Sequence, residues 1–305
     1  MKDRVNIGLL IHQIENDYGR AIIKGAYAAA EEQDVNLFIF PGRGFNEPYE
    51  NMNYSEYDYQ HNVLYEFVSE KNLDVLIVSA GTIGNYIANE QMLNFLHRYS
   101  GIPILTMEMK VGDYPCIRYD SSGIRDAVLH LVKDCKRKKI GFVCGPRGSQ
   151  DAADRLAAFY AAMEECGMPA TDKQVVYGNF SQYDMPFIRE LLDKNEGDLD
   201  GICFANDNMC VSGYQVFRER GIRPGIDIAV TGYDDSEVAL ELSPKLTTVR
   251  ADAAYLGYHA IRAAKKLSTG QSLIGYEIKS SLIVRESSGV DADAKADYST
   301  IGEQS

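Results

Sequence analysis

The stretch Val230-Thr-Gly-Tyr-Asp-Asp-Ser-Glu237, with Thr248-Val249-Arg250 a short way downstream, decides the reading of this chain. An apolar run over 228–230 gives way abruptly to a glycine, an aromatic and two adjacent carboxylates. That pattern predicts a buried strand ending in a polar turn. In an open parallel sheet, ligands bind in the crevice outside the carboxyl ends of the strands. Two Asp at such an end stand where a polar ligand can donate hydrogen bonds to them. The His, Lys or metal ligand that would turn these acids into catalysts is not close by, so the run points to binding.

Working outward, apolar strand patterns alternate with helical ones. Residues 5–11 read as a strand and 18–33 as a helix with Ile22, Ile23, Ala26, Ala29 and Ala30 in one stripe. Strands follow over 37–40, 75–78, 102–106 and 140–144, with helices over 63–70, 92–99 and 122–133 between them. The second half repeats the scheme: helices over 152–166, 186–192, 209–220 and 253–267, and strands over 174–177, 201–204, 228–230 and 276–284. This alternation implies an α/β fold with parallel sheets built of right-handed βαβ units. Its repetition over 305 residues implies two similar doubly wound lobes with a cleft between them. Two segments break the rhythm. Residues 42–62 hold Tyr49, Tyr54, Tyr57 and Tyr59 and read either as a cleft or interface loop or as a surface insertion. The tail from Ser287, rich in Asp, Ala, Ser and Gly, reads as an irregular end or linker.

A formal net charge of −13 argues against this chain alone wrapping nucleic acid or lying on an anionic membrane. No apolar run reaches membrane-spanning length. The basic run Lys136-Arg137-Lys138-Lys139 reads as a solvated turn before a strand. The cysteines form no C-x-x-C pair, and the start has no signal-peptide pattern, so the expected compartment is a reducing cytoplasm. The histidines show no metal spacing, no G-x-S-x-G elbow or Walker loop occurs, and Gly145-Pro-Arg-Gly148 lacks the dinucleotide fingerprint. No enzyme, cofactor or metal is expected.

The candidate ligand residues are those at expected strand ends: Asp17 and Tyr18 after the first strand, Ser79 after the third, Glu108 after the fourth, then Asp120, Arg155, Phe180, Asn206, Asp207 and Asp234. Carboxylates and amides match the donors and acceptors of a polyhydroxylated ligand, and Arg155 offers a planar fork. Aromatic faces such as Tyr18 and Phe180 cover the apolar face of a ring. Each has a plainer reading. Asp207 either caps the helix starting near Met209 or touches ligand. Asp235-Ser236 reads as a cap, which leaves Asp234 as the ligand candidate. Arg155 has a surface ion pair as its alternative, Phe180 a place in the core, and Glu108 and Asp120 a role as loop caps.

At these residues the chain closely resembles the effector-binding core of the LacI/GalR family of bacterial transcription regulators. The matching segments are Gly145-Pro, Ser149, Arg155-Leu and Phe159; Ala205-Asn-Asp-Asn208; Arg218-Glu-Arg-Gly-Ile222; Asp227-Ile-Ala-Val-Thr-Gly-Tyr-Asp-Asp-Ser236; Leu242-Ser-Pro-Lys-Leu-Thr-Thr-Val-Arg250; and Leu282-Ile-Val-Arg-Glu-Ser-Ser288. They stand in the family's order, and the resemblance covers 5–288. It implies a periplasmic-binding-protein-like type I fold: two lobes joined by three crossovers, an effector held between them, and a homodimer. The first lobe is expected at 5–138 plus 250–272 and the second at 139–248 plus 274–288, with 289–305 as tail. The resemblance also implies that Asp234 and Arg155 contact effector hydroxyls, with Asn206 and Phe180 lining the same site. Two departures stand out. The family's helix-turn-helix does not precede residue 5, so no direct DNA contact is expected of this chain and an output module beyond Ser305 is one expectation. Asp134-Cys135-Lys136 replaces the usual Gly-His. The expected function is sensing of a small polar ligand, a sugar by preference; the alternative is a solute receptor of a sugar transport system, with the same fold.

Overall fold

The computed structural model describes residues 4–47 and 57–290. Along the chain run β1 (Asn6–Ile11), α1 (Asp17–Glu32), β2 (Asn36–Pro41), β3 (Val75–Ser79), α2 (Ala80–Ile83), α3 (Asn89–Leu96), β4 (Ile104–Met107) and β5 (Cys116–Tyr119). Next come α4 (Ser122–Leu129), β6 (Ile140–Cys144), α5 (Gln150–Glu165), β7 (Val175–Tyr177), α6 (Met185–Lys194), β8 (Gly201–Phe204), α7 (Asp207–Glu219) and β9 (Ala229–Asp234). The last are α8 (Val238–Glu241), β10 (Thr247–Arg250), α9 (Ala253–Ser268), β11 (Gly275–Ile278) and β12 (Ser281–Ile283). They form two compact lobes, each with a six-stranded sheet.

In the first lobe the sheet order is β11-β5-β4-β3-β1-β2, with every pairing parallel. β3 is VLIVS and buried throughout, as expected of a central strand covered on both faces. One face packs under α1 and α9, whose Ile22, Ala26, Ala29, Leu256, Ala260 and Ile261 form a continuous apolar layer with Leu9 and Ile77. The two helices meet at backbone distance. A Cβ on Gly25 would lie 1.7 Å from the Ala254 carbonyl oxygen, and one on Gly257 2.1 Å from that of Ile22. The other face carries a second apolar cluster around Leu76, Val78, Met92, Leu96 and Tyr65.

The second sheet, β12-β10-β9-β8-β6-β7, is parallel except for β12, which runs antiparallel to β10. Phe142 of β6 stacks on Phe159 of α5 with ring centroids 4.7 Å apart. α6 packs on β7 and α7 on β9, each through an apolar stripe such as Ile188, Leu191 and Leu192.

The structure departs from the sequence expectations in several places. β9 continues to Asp234, because Tyr233 is buried and pairs with Val249 of β10. The single strand expected over 276–284 is two: β11 joins the first sheet and β12 the second, with Lys279 and Ser280 between them. β5 and β10 were not expected. The opening segment of the first lobe ends at Asp120, not near residue 138, since α4 packs on β9, β10 and β12, and its return segment runs Asp252–Ile278, past the expected 272. The short segment Arg147–Asp151 also groups with the first lobe. The helix expected over 63–70 is a 3-10 helix, Asp58–Phe67; Tyr57 and Tyr59 are exposed, whereas Tyr49 and Tyr54 lie outside the described residues. Ser287 and Ser288, expected in an irregular tail, are fully buried in a 3-10 turn; residues 291–305 lie outside the described part.

Candidate functional site

Parallel strands put their carboxyl ends on one edge of a sheet, and each lobe gathers polar side chains there. In the first lobe, β3 ends at Ser79 and β4 runs into Glu108. Glu108 takes a left-handed backbone, φ 71°, that turns its side chain into the lobe. Its carboxylate accepts from Ser79 Oγ at 2.9 and 3.0 Å, from the Thr82 backbone N–H at 3.0 Å and from the Tyr18 hydroxyl at 3.0 Å. Burial pushes its carboxyl above the ordinary range; Asp151 adds to the shift, while the hydrogen bonds from Thr82, Ser79 and Tyr18 oppose it.

Three expected residues, Tyr18, Ser79 and Glu108, are thus brought together. Asp17 is not among them: it sits in the first turn of α1 and pairs with Arg20 at the surface. Asp120 follows β5, where its backbone N–H donates to Ile278. Thr82 lies in the 79–82 strand end that the sequence marks as polar, whereas Asp151 was not anticipated, since no periodicity or motif marks it.

In the second lobe the geometry is set by buried Asp207. It accepts from Thr248 Oγ1 at 2.6 Å, from the Ser236 N–H at 2.9 Å and from Ser236 Oγ at 3.1 Å. Burial, the largest influence, raises its carboxyl above the ordinary range. Helix capping falls instead to Asn206, whose Oδ1 accepts from Met209 N while its Nδ2 donates to the Phe180 carbonyl. Of the two readings of Asp207, cap or ligand contact, the cap falls to Asn206 instead, and Asp207 ties β9 to β10. The glycine of the decisive stretch is required by this tie, because a Cβ on Gly232 would lie 2.2 Å from Asp207 Oδ1.

Asp235, read as a cap, instead binds Arg250 at 2.7 Å and Arg285 at 2.6 Å. Asp234 ends β9 with φ 116°. Beside it, the Arg155 guanidinium lies over the Tyr233 ring, 3.9 Å from its centroid, and 5.7 Å from that of Phe180. Arg155 Nη1 also donates to the Ala205 carbonyl at 2.5 Å. A stacked guanidinium is held flat, with its donor edge directed in the ring plane. Phe180 is half-buried at φ 57°. Its ring fits against Gly145, where a Cβ would come within 2.1 Å. A left-handed backbone at a bulky residue costs about 1–3 kcal/mol and persists only where its surroundings enforce it. Such strain gathers at strand ends that bind ligands.

Comparison with known proteins gives a consistent result. The sequence profile of the family described as "Periplasmic binding protein-like domain" matches residues 129–288. The transcriptional repressor PurR of Haemophilus influenzae, named as helix-turn-helix-type, is 27% identical over 290 residues, covering 92% of this chain and 81% of that protein. The transcriptional regulator CelR of Thermobifida fusca is 30% identical over 227 residues, 67% of this chain and 66% of that one. Among solved structures, the CelR–cellobiose complex superimposes with a TM-score of 0.78 at 23% identity, covering 94% of this chain and 86% of that one. The Lac repressor bound to ONPG gives 0.76 at 22%, covering 94% and 82%.

Proposed function

Since the chain belongs to the periplasmic-binding-protein-like family, as the effector-binding core of a LacI/GalR-type protein, we propose that it is the sugar-sensing part of a transcriptional regulator. The observation that carries this is the second-lobe face: a guanidinium stacked on Tyr233, with Phe180 and Asp234 at the same strand ends. Flat faces for a ring and a directed fork and carboxylate for its hydroxyls are what a polyol needs. The relatives are named as repressors and regulators, and the superimposed structures hold cellobiose or ONPG. That favours a signal over turnover, and regulation over delivery to a transporter.

The effector shifts the protein toward whichever lobe arrangement it binds better. An effector clasped between two lobes, and a homodimer, belong to this proposal as the resemblance implies them. The relatives are named as helix-turn-helix-type regulators, and those names lend no support to an output module after Ser305. A cytoplasmic setting goes with the same reading; among the described residues no helix is long and apolar enough to cross a membrane.

A thermal-shift screen of cellobiose, other sugars, nucleosides and amino acids tests it. A sugar at 100 times its dissociation constant stabilises the fold by about 2.7 kcal/mol. Arg155→Ala and Asp234→Ala abolish that response, and Arg155→Ala also lowers the unliganded melting temperature, because its stack on Tyr233 and its bond to Ala205 are lost. Full affinity in both variants would remove the site.

A further inference from the structure

Asp184 stands just before α6 and looks like its cap, yet its side chain makes no capping bond. The carboxylate turns back instead, and Oδ2 accepts from the backbone N–H groups of Asn179 at 2.7 Å and Ser181 at 3.2 Å. Those two residues flank Phe180, the aromatic in the left-handed conformation. Ser212 of α7 completes the clamp: it accepts from Asp184 N at 2.9 Å and donates to the Gln182 carbonyl at 2.6 Å. Asp184 is 2% exposed, and among the described residues no ion pair to it occurs. A buried carboxylate with no cation is costly unless hydrogen bonds solvate it. Here the loop's own N–H groups do so, which ties the loop's shape to the charge.

We propose that Asp184 is a positioning residue of the effector site: its carboxylate fastens the 178–183 loop and so sets the Phe180 ring as a fixed platform for the apolar face of a sugar. The platform's use rests on the second-lobe face being the effector site; the fastening does not. Burial pushes the Asp184 carboxyl up to about 6, opposed by the Asn179 and Ser181 hydrogen bonds, and no charged side chain figures among the influences on it. From the packed elements it meets Gly178 after β7 and Ser212 on α7, and Met209 of α7 borders the same Gly178. The acid of α7, Asp207, is committed to Thr248 and Ser236. Protonation makes a weaker acceptor, so the fastening loosens as pH falls through about 6.

The chain contains no tryptophan, so Phe180→Trp creates a single fluorescent reporter at the platform. In the Phe180→Trp background, Asp184→Ala raises iodide quenching about twofold or more and lowers anisotropy, as expected of a released loop. Asp184→Asn keeps an acceptor oxygen but cannot gain a proton. It retains the parent's signal at neutral pH and stays flat on acidification, whereas the parent's quenching rises. Asp207 titrates in both proteins and cancels in that comparison. Should Asp184→Ala not fold, the asparagine pH profile decides alone. Equal quenching in the folded alanine variant, or parallel pH profiles, would overturn the fastening.

Calorimetric titration with cellobiose gives the second arm. Asp184→Ala weakens binding about tenfold, roughly one lost stacking contact, and Asp184→Asn restores it. If cellobiose and the other sugars bind neither protein, the effector reading and with it the platform's use fail, while the tryptophan signal still judges the fastening.

Discussion

The two lobes solve the same topological problem with different chemistry at their strand ends. In the first, Glu108 turns inward and collects the hydroxyls of Tyr18 and Ser79 and the N–H of Thr82. In the second, that inward task falls to Asp207, while the strand ends carry a guanidinium stacked on one ring and close to another. One face is a closed carboxylate–hydroxyl network and the other a set of flat surfaces on strained backbone. A strand-end address therefore does not assign a role. What separates the faces is the chemistry they present: a buried carboxylate held by hydroxyls in the first, a guanidinium and aromatic rings in the second.

The largest effect is expected from damaging one lobe alone, which tests whether the two stand or fall together. Gly25→Val forces a branched side chain into the Ala254 carbonyl, which no rotamer avoids. The expected cost is about 3 kcal/mol or more, because α1 and α9 must part. Hydrogen exchange should then show protection lost in β1 and β3 and kept in β6 and β8. Loss in both would show that the lobes share one folding unit.

Acidification gives a smaller effect. The folded Asp184 carboxyl, at about 6, lies above its ordinary 3.8, so the folded chain binds more protons than the unfolded one between those values. That contribution is complete below the ordinary value and is lost as pH rises through about 6. Asp207, also raised by burial, adds the same sign. The second lobe should gain about 1–2 kcal/mol between pH 7.5 and 5.5, read from denaturant midpoints. Asp184→Asn should reduce the gain. Weaker fastening of the loop and greater overall stability are compatible, because protonation removes the cost of a buried charge.

The smallest effect is expected at Glu108→Gln. The hydroxyls of Tyr18 and Ser79 can rotate to accept from the new amide while Thr82 keeps an oxygen. Stability should change by less than about 1 kcal/mol and effector affinity by less than about threefold. A tenfold loss of affinity would mean that Glu108 reaches the effector, and the contrast between the faces would collapse.

The fold was readable because apolar runs and helical stripes report burial directly, and β6 and β8 have the limits their sequences suggest. β5 and β10 were hidden because CIRY and TTVR mix polar with apolar residues and gain their strand character from neighbours. β9 was cut short at Val230 because a glycine and two acids look like a turn; the buried ring of Tyr233 keeps the strand going. At the site, the residue types were legible and their roles were not. The role of Asp207 is decided by Thr248, a partner that lies across the fold, information that no local pattern carries.

The handover from β11 to β12 has a consequence for biosynthesis. Each sheet takes an edge strand from the same nine residues, Gly275 to Ile283. On the ribosome, neither sheet is finished until this segment has been translated, so both wait exposed along one border. A nascent chain stalled or clipped before residue 275 would leave two open strand edges at once, each a template for pairing with another molecule.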